Sequence, residues 1–181
     1  MHEQVASSLY ERPCLGHIDV RGDPRDRAFA DAVARVLGAP LPTIPNTFAE
    51  GEGATLCWLS PDAWLVMMRR ERLSGAIGAL RQAFHATFAT ATDVSGGQTV
   101  LVLSGEHARD VLASGCPLDL RSHAVGTRWC AQSRIAKAPV LIRQADDLPT
   151  FEIVVRRSFA DYLSTWLRDA AANALPLVDR A

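Results

Sequence analysis

No long hydrophobic run occurs in the 181 residues. The longest apolar stretches, such as residues 64–68, are far too short to cross a bilayer, and residues 1–13 are polar with no apolar core of the kind a secretory leader needs. A cytoplasmic protein with no membrane partner is the expectation. A basic stripe is missing as well. Arginines alternate with aspartates, as in Arg21, Asp23, Arg25, Asp26 and Arg27, and the formal net charge is -1, so a nucleic-acid partner is not expected. Four cysteines, Cys14, Cys57, Cys116 and Cys130, lie far apart with no C-x-x-C pair. That spacing argues against a structural zinc site and for buried thiols.

The usual sequence signatures of cofactor and catalytic sites are also absent. No G-x-G-x-x-G follows a strand pattern and no G-x-x-x-x-G-K-[ST] loop occurs, so the chain itself is expected to bind no NAD, FAD or ATP. Gly96-Gly97 lacks the lysine and helix cap of a phosphate loop and reads as a tight turn. Ser104 lacks the first glycine of a nucleophile elbow and reads as the cap of a short helix. The histidines His2, His17, His85, His107 and His123 show no H-E-x-x-H spacing. A cysteine paired with a distant histidine remains open at this level, although buried structural cysteines are commoner. Asp93 and Asp119 sit beside apolar strand-like segments. Burial there would raise their pKa, while turn formation is the commoner role for such a carboxylate. No catalytic, cofactor-binding or metal-ligating residue is therefore assigned.

What is present is an ordinary globular composition, 48% apolar and 22% charged, long enough to bury a core without staples. Residues 15–20 alternate as a strand, and Gly22-Asp23-Pro24 offers a turn, an N-cap and a first-turn proline. Phe29, Val33, Val36 and Leu37 mark a helix face that Gly38 and Pro40 stop. Residues 39–53 hold three prolines and two glycines with little periodicity, which predicts a long irregular connection. Its apolar members make Leu41, Pro42, Ile44, Pro45, Asn46 and Phe48 a candidate interface.

Two short strands, 55–59 and 63–68, flank Ser60-Pro61-Asp62 as a hairpin, and Leu73, Ile77, Leu80 and Phe84 mark a second helix. Strands at 91–95 and 99–103 surround Gly96-Gly97, and a short helix covers 106–112. Up to this point the order reads β-α-β-β-α-β, the split pattern of ferredoxin-like α+β modules, with two helices on one face of an antiparallel sheet. Further strands follow at 129–137, 140–143 and 151–156, around a polar turn at 145–149. A last helix starts at a Ser158/Asp161 box, presents Phe159, Leu163, Trp166, Leu167 and Ala170, and ends at Pro176. The four tryptophans, Trp58, Trp64, Trp129 and Trp166, suit either core or interface. The expected organisation is an N-terminal arm (1–13), one domain (14–175) that can be divided into lobes 14–95 and 98–175, and a tail (176–181).

Several segments in order resemble the gamma subunit of heterotetrameric sarcosine oxidase. They are Trp58-Leu59-Ser60-Pro61-Asp62-Ala63-Trp64-Leu65-Val66, Asp93-Val94-Ser95-Gly96-Gly97-Gln98-Thr99, Leu103-Ser104-Gly105 leading to Ala108-Arg109, and Leu112 with Gly115-Cys116-Pro117-Leu118-Asp119-Leu120. Arg157-Ser158-Phe159-Ala160-Asp161-Tyr162-Leu163 and Trp166-Leu167 close the set. The resemblance runs from about Cys14 to the last helix. It implies a fold like the folate-binding domain of the glycine cleavage T-protein, and a non-catalytic role stabilising the alpha/beta assembly. It further implies alpha, beta and delta partners holding FAD, FMN, NAD, tetrahydrofolate and zinc, with sarcosine demethylated to glycine, peroxide and formaldehyde or methylenetetrahydrofolate. Fold similarity by itself transfers no activity. The alternative is a free-standing folate-binding or aminomethyltransferase-like protein. Against it stand the missing Lys-Gly-Cys-Tyr-x-Gly-Gln-Glu type signature and a length about half that of a T-protein. A general interaction module with no link to sarcosine is a third reading.

Overall fold

The computed structural model describes residues 7–120, 128–146 and 149–173. His2, His123, Asp147, Leu148 and Pro176, and with them parts of the expected arm, turn and tail, lie outside these. In chain order the elements are β1 (Ser8–Glu11), β2 (Leu15–Arg21), α1 (Arg27–Leu37), β3 (Phe48–Gly51), β4 (Ala54–Ser60), β5 (Ala63–Arg69), α2 (Arg70–Ala83) and β6 (Thr90–Asp93). There follow β7 (Gln98–Ser104), α3 (Ala108–Ala113), β8 (Cys130–Ile135), β9 (Ala138–Gln144), β10 (Phe151–Arg156) and α4 (Ala160–Asn173). The fold is α+β, as expected. Two compact units form: a first of residues 13–98 with 128–131, and a second of the remaining described residues.

The first unit is a five-stranded sheet in the order β3-β4-β5-β2-β6, with every pairing antiparallel. Ile18 and Val20 of β2, Leu56 of β4, Trp64, Val66 and Met68 of β5 and Ala91 of β6 meet α1 through Phe29, Ala32, Val33 and Leu37. They meet α2 through Leu73, Ile77 and Leu80, so a stripe of period two faces stripes of period 3.6. The Phe29 ring lies 5.7 Å from that of Trp64 and 5.3 Å from that of Phe84. Burying each such side chain contributes about 1.5–3 kcal/mol.

Helix α1 starts later than its sequence suggests. The Arg25 backbone N–H and guanidinium both bond the Asp23 carboxylate, which closes a turn, and Asp26 becomes the cap by accepting from the Ala28 N–H at 2.9 Å. Gly38, at φ 68, ends the helix as expected.

The second unit has a five-stranded sheet in the order β1-β7-β10-β9-β8 and the helices α3 and α4. Reading β8-β9-β10-β7-β1 against β3-β4-β5-β2-β6 shows one topology used twice. Each unit runs strand, helix, edge strand, hairpin, helix, with a last strand beside the first. In the second unit that last strand is β1, taken from the other end of the chain.

Three local expectations give way. Residues 39–53 are not irregular throughout, because β3 forms there by pairing Phe48 with Cys57 and Gly51 with Ala54. Four residues ending in glycine carry no alternation of their own; the partner strand makes them extended. Ser104 does not cap α3. It ends β7 opposite Ser8, and Gly105 at φ 120 turns the chain before a helix that begins at Ala108 with no side-chain cap. Instead of a capping box, a 3-10 turn over Arg157–Phe159 runs directly into α4.

Candidate interaction surface

The loop predicted as an interface is built on a strap. Trp64 Nε1 donates to the Pro42 carbonyl at 2.7 Å inside the core, and Thr47 Oγ1 donates to the Ile44 carbonyl at 2.7 Å. Residues 128–130 hold the other side. Cys130 N–H donates to the Asn46 carbonyl, Phe48 N–H to the Arg128 carbonyl, and Cys130 Sγ to the Thr47 carbonyl at 3.2 Å. Asn46 at φ 59 and Arg128 at φ 65 are the left-handed residues that let these two segments turn towards each other.

The six candidate residues therefore separate into two sets. Pro42 and Phe48 are buried and Leu41 packs half-buried on the core, while Ile44, Pro45 and Asn46 form the exposed tip, with Ile44 68% exposed.

The other sequence candidates have structural places. Asp93 is exposed, and its carboxyl is held below the ordinary value, not raised, because the residue bonds to Ser95, whose N–H donates to Asp93 Oδ1 at 2.9 Å; Arg70 and His17 add to the effect by charge. Ser95, buried, in turn accepts from the His17 backbone N–H at 2.8 Å. Gly96 and Gly97 lie in a 3-10 turn where an added Cβ would meet nothing, so neither glycine is required for a close approach. Asp119 is exposed, His17 buried, His85 exposed, and His107 Nδ1 lies 3.4 Å from Asp110. Cys57, Cys116 and Cys130 are buried as expected, but Cys14 is exposed at φ 61, where the chain enters β2. Among the described residues no group of three or more His, Cys, Asp or Glu side chains could hold a metal ion. No described helix is long and apolar enough to cross a membrane.

Exposed aromatics were not anticipated. Tyr10, Tyr162 and above all Phe88 stand out of the surface. Nothing in the sequence marks Phe88 as exposed: it falls four residues after Phe84, on the spacing of the α2 face, but α2 ends at Ala83.

The resemblance-bearing segments act in packing. Trp58 to Val66 is the β4-β5 hairpin, closed by Ser60 Oγ donating to Asp62 at 2.6 Å. Gly115 and Trp166 touch each other, and a Cβ at position 115 would overlap the indole.

This architecture defines a class. Aminomethyltransferase T of the glycine cleavage system from Bartonella henselae superposes with a TM-score of 0.65 at 13% identity, over 92% of this chain and 46% of that one, a likeness of fold alone. Within the class, residues 21–173 match the family described as sarcosine oxidase, gamma subunit family, and the chain belongs to it. The gamma subunit of sarcosine oxidase from Arthrobacter sp. is 31% identical over 154 residues, which is 84% of this chain and 74% of that protein. A chain of heterotetrameric sarcosine oxidase from Corynebacterium sp. U-96, in complex with pyrrole 2-carboxylate, superposes with a TM-score of 0.89 at 25% identity, covering 99% of this chain and 91% of its own.

Proposed function

We propose that this chain is the non-catalytic gamma subunit of a heterotetrameric sarcosine oxidase and stabilises its alpha/beta assembly. The observation that carries this reading is the end-to-end likeness to one chain of the Corynebacterium heterotetramer, which leaves little of either chain unmatched. On this reading the complex works in the cytoplasm and demethylates sarcosine to glycine, reducing dioxygen to hydrogen peroxide and releasing the one-carbon unit as formaldehyde or methylenetetrahydrofolate. FAD, FMN, NAD, tetrahydrofolate and zinc belong to the alpha, beta and delta subunits, and residues 14–175 act as a single module in the complex.

The tip at Ile44, Pro45 and Asn46, supported from below by Leu41, Pro42 and Phe48, is the proposed contact. A loop already strapped in place loses little freedom on docking, which favours association. Co-purification of the tagged chain from its native host, with mass identification and an absorbance spectrum, tests the proposal. Two large flavoprotein subunits and a small zinc-binding one are expected. A colourless lone chain that binds tetrahydrofolate overturns the reading in favour of the free-standing alternative. Ile44→Asp is expected to lower recovery of the large subunits without changing the chain's own melting temperature.

A further inference from the structure

At one end of the first unit three connections converge: the turn from β2 into α1, the Pro61-Asp62 turn of the β4-β5 hairpin, and the segment joining α2 to β6. Between them lies an open groove of about 860 Å³ whose apolar surface comes from Gly22, Pro24, Pro61, Phe88 and Ala89. Phe88 is 104% exposed, so both faces of its ring are open to water. An aromatic side chain left wholly in water beside further apolar surface marks a place where something else is meant to pack.

The charges at the mouth limit what that can be. Arg25 is paired with Asp23 at 2.8 Å and Arg21 with Asp19 at 2.9 Å. Asp62 accepts the Ser60 hydroxyl, and its charge also acts on Arg21; Asp26 accepts the Ala28 N–H. Of the groove's lining residues, three aspartates, Asp23, Asp26 and Asp62, stand against two arginines, and one of these, Arg21, is already paired with Asp19 outside the groove. The amino end of α1 offsets part of the Asp26 charge, and the excess remains negative. An anionic or nucleic-acid occupant would be repelled. A purely apolar one would take the Asp62 carboxylate out of water and bring no countercharge of its own. A second copy of this chain docked by the same face would bring two acidic rims together.

Resting on the subunit reading above, we propose that this groove receives a segment of a partner subunit that presents an arginine or lysine beside an apolar side chain. The cation lies on the Phe88 ring and against the Asp62 side of the rim, and the apolar side chain fills the space between Pro24 and Pro61. Ring and rim then act together, since a cation on an aromatic face is held more strongly as water leaves.

The test is reassembly of the whole complex with Phe88→Ala, Phe88→Leu and Asp62→Lys chains, read as retention of the chain on tagged partner subunits at rising salt. Hydrogen exchange over residues 85–92 is followed with and without the partners. Phe88→Ala and Asp62→Lys are each expected to weaken retention by about tenfold or more, the loss of an interface anchor. Phe88→Ala should leave the free chain's melting temperature unchanged; Asp62→Lys, which also loses the Ser60 bond, is compared at a temperature where the free chain is fully folded, and should flatten the salt dependence. Exchange at 85–92 should slow in the wild-type complex.

Wild-type retention of Phe88→Ala and Asp62→Lys, with no protection at 85–92, overturns the proposal. So does a Phe88→Leu chain retained like wild type, because leucine keeps the bulk without the ring. A change confined to self-association names a second copy as the occupant and likewise overturns it. A wild-type chain that recovers no flavoprotein subunits removes the subunit reading and this proposal together. Assembly that proceeds normally with every variant removes this proposal alone.

Discussion

Glu152 is where buried charge concentrates. On β10 it lies between Arg143 of β9, whose Nε donates to it at 2.8 Å, and Arg12, with both the Arg143 and Glu152 side chains buried. Taking one charge out of such a pair removes the compensation for the other, which remains in low dielectric. Glu152→Gln keeps the shape and should cost roughly 3–5 kcal/mol, seen as a lowered urea midpoint. The exposed pair Asp23–Arg25 behaves differently. Arg25 holds the Asp23 carboxyl down at about 2, against an ordinary 3.8. Because the folded carboxyl takes up protons less readily than the unfolded one, its small stabilisation is complete above the ordinary pKa. It is lost as the pH falls from about 3.8 towards 2. Arg25→Ala should move the Asp23 titration upward towards 3.8, measurable by NMR. The Asp23–Arg25 pair is local in sequence, but the Glu152 partners are not: Arg143 and Glu152 read as a strand end and a strand interior, and only the β9-β10 register brings them together.

Among elements, the periodic ones were legible and the dependent ones were not. Helix α1 follows from its apolar spacing and Gly38, and the β4-β5 hairpin from Ser60-Pro61-Asp62 between two apolar runs. The strands β3 and β1 exist because β4 and β7 offer them a partner edge, and their four residues each carry no decisive pattern. The six candidate interface residues separate for the same reason: Pro42 and Phe48 are apolar and buried, whereas Ile44 is apolar and exposed. Trp64→Phe should lose the bond that anchors the loop at Pro42, costing about 1–3 kcal/mol and speeding hydrogen exchange over residues 43–47 before the rest of the first unit. Gly51→Ala should destabilise by about 1–3 kcal/mol in thermal melts, since its Cβ would overlap the Gly38 carbonyl.

Over the whole molecule, neither unit is a continuous stretch of chain. The second unit takes β1 from the N-terminus, and the first takes residues 128–131 from beyond α3. Fragments 1–98 and 99–181 should therefore each fail to give a cooperative melt alone, because each lacks part of the unit it mostly encodes. Deleting residues 1–12 should destabilise the second unit in particular, as it removes β1, the Arg12 bond to Glu152 and the Glu11 bond with Thr99. Hydrogen exchange in β7 is the readout.

The sequence by itself determined the fold class, the principal strands and helices, and the family, because apolar periodicity, turn residues and ordered local segments are written along the chain. The tertiary structure decided that β1 joins the second unit, that one topology is used twice, which loop residues are anchors and which form the tip, and that Phe88 stands beside an acidic rim. Those facts depend on pairings and exposures between residues distant in sequence, which no local pattern encodes.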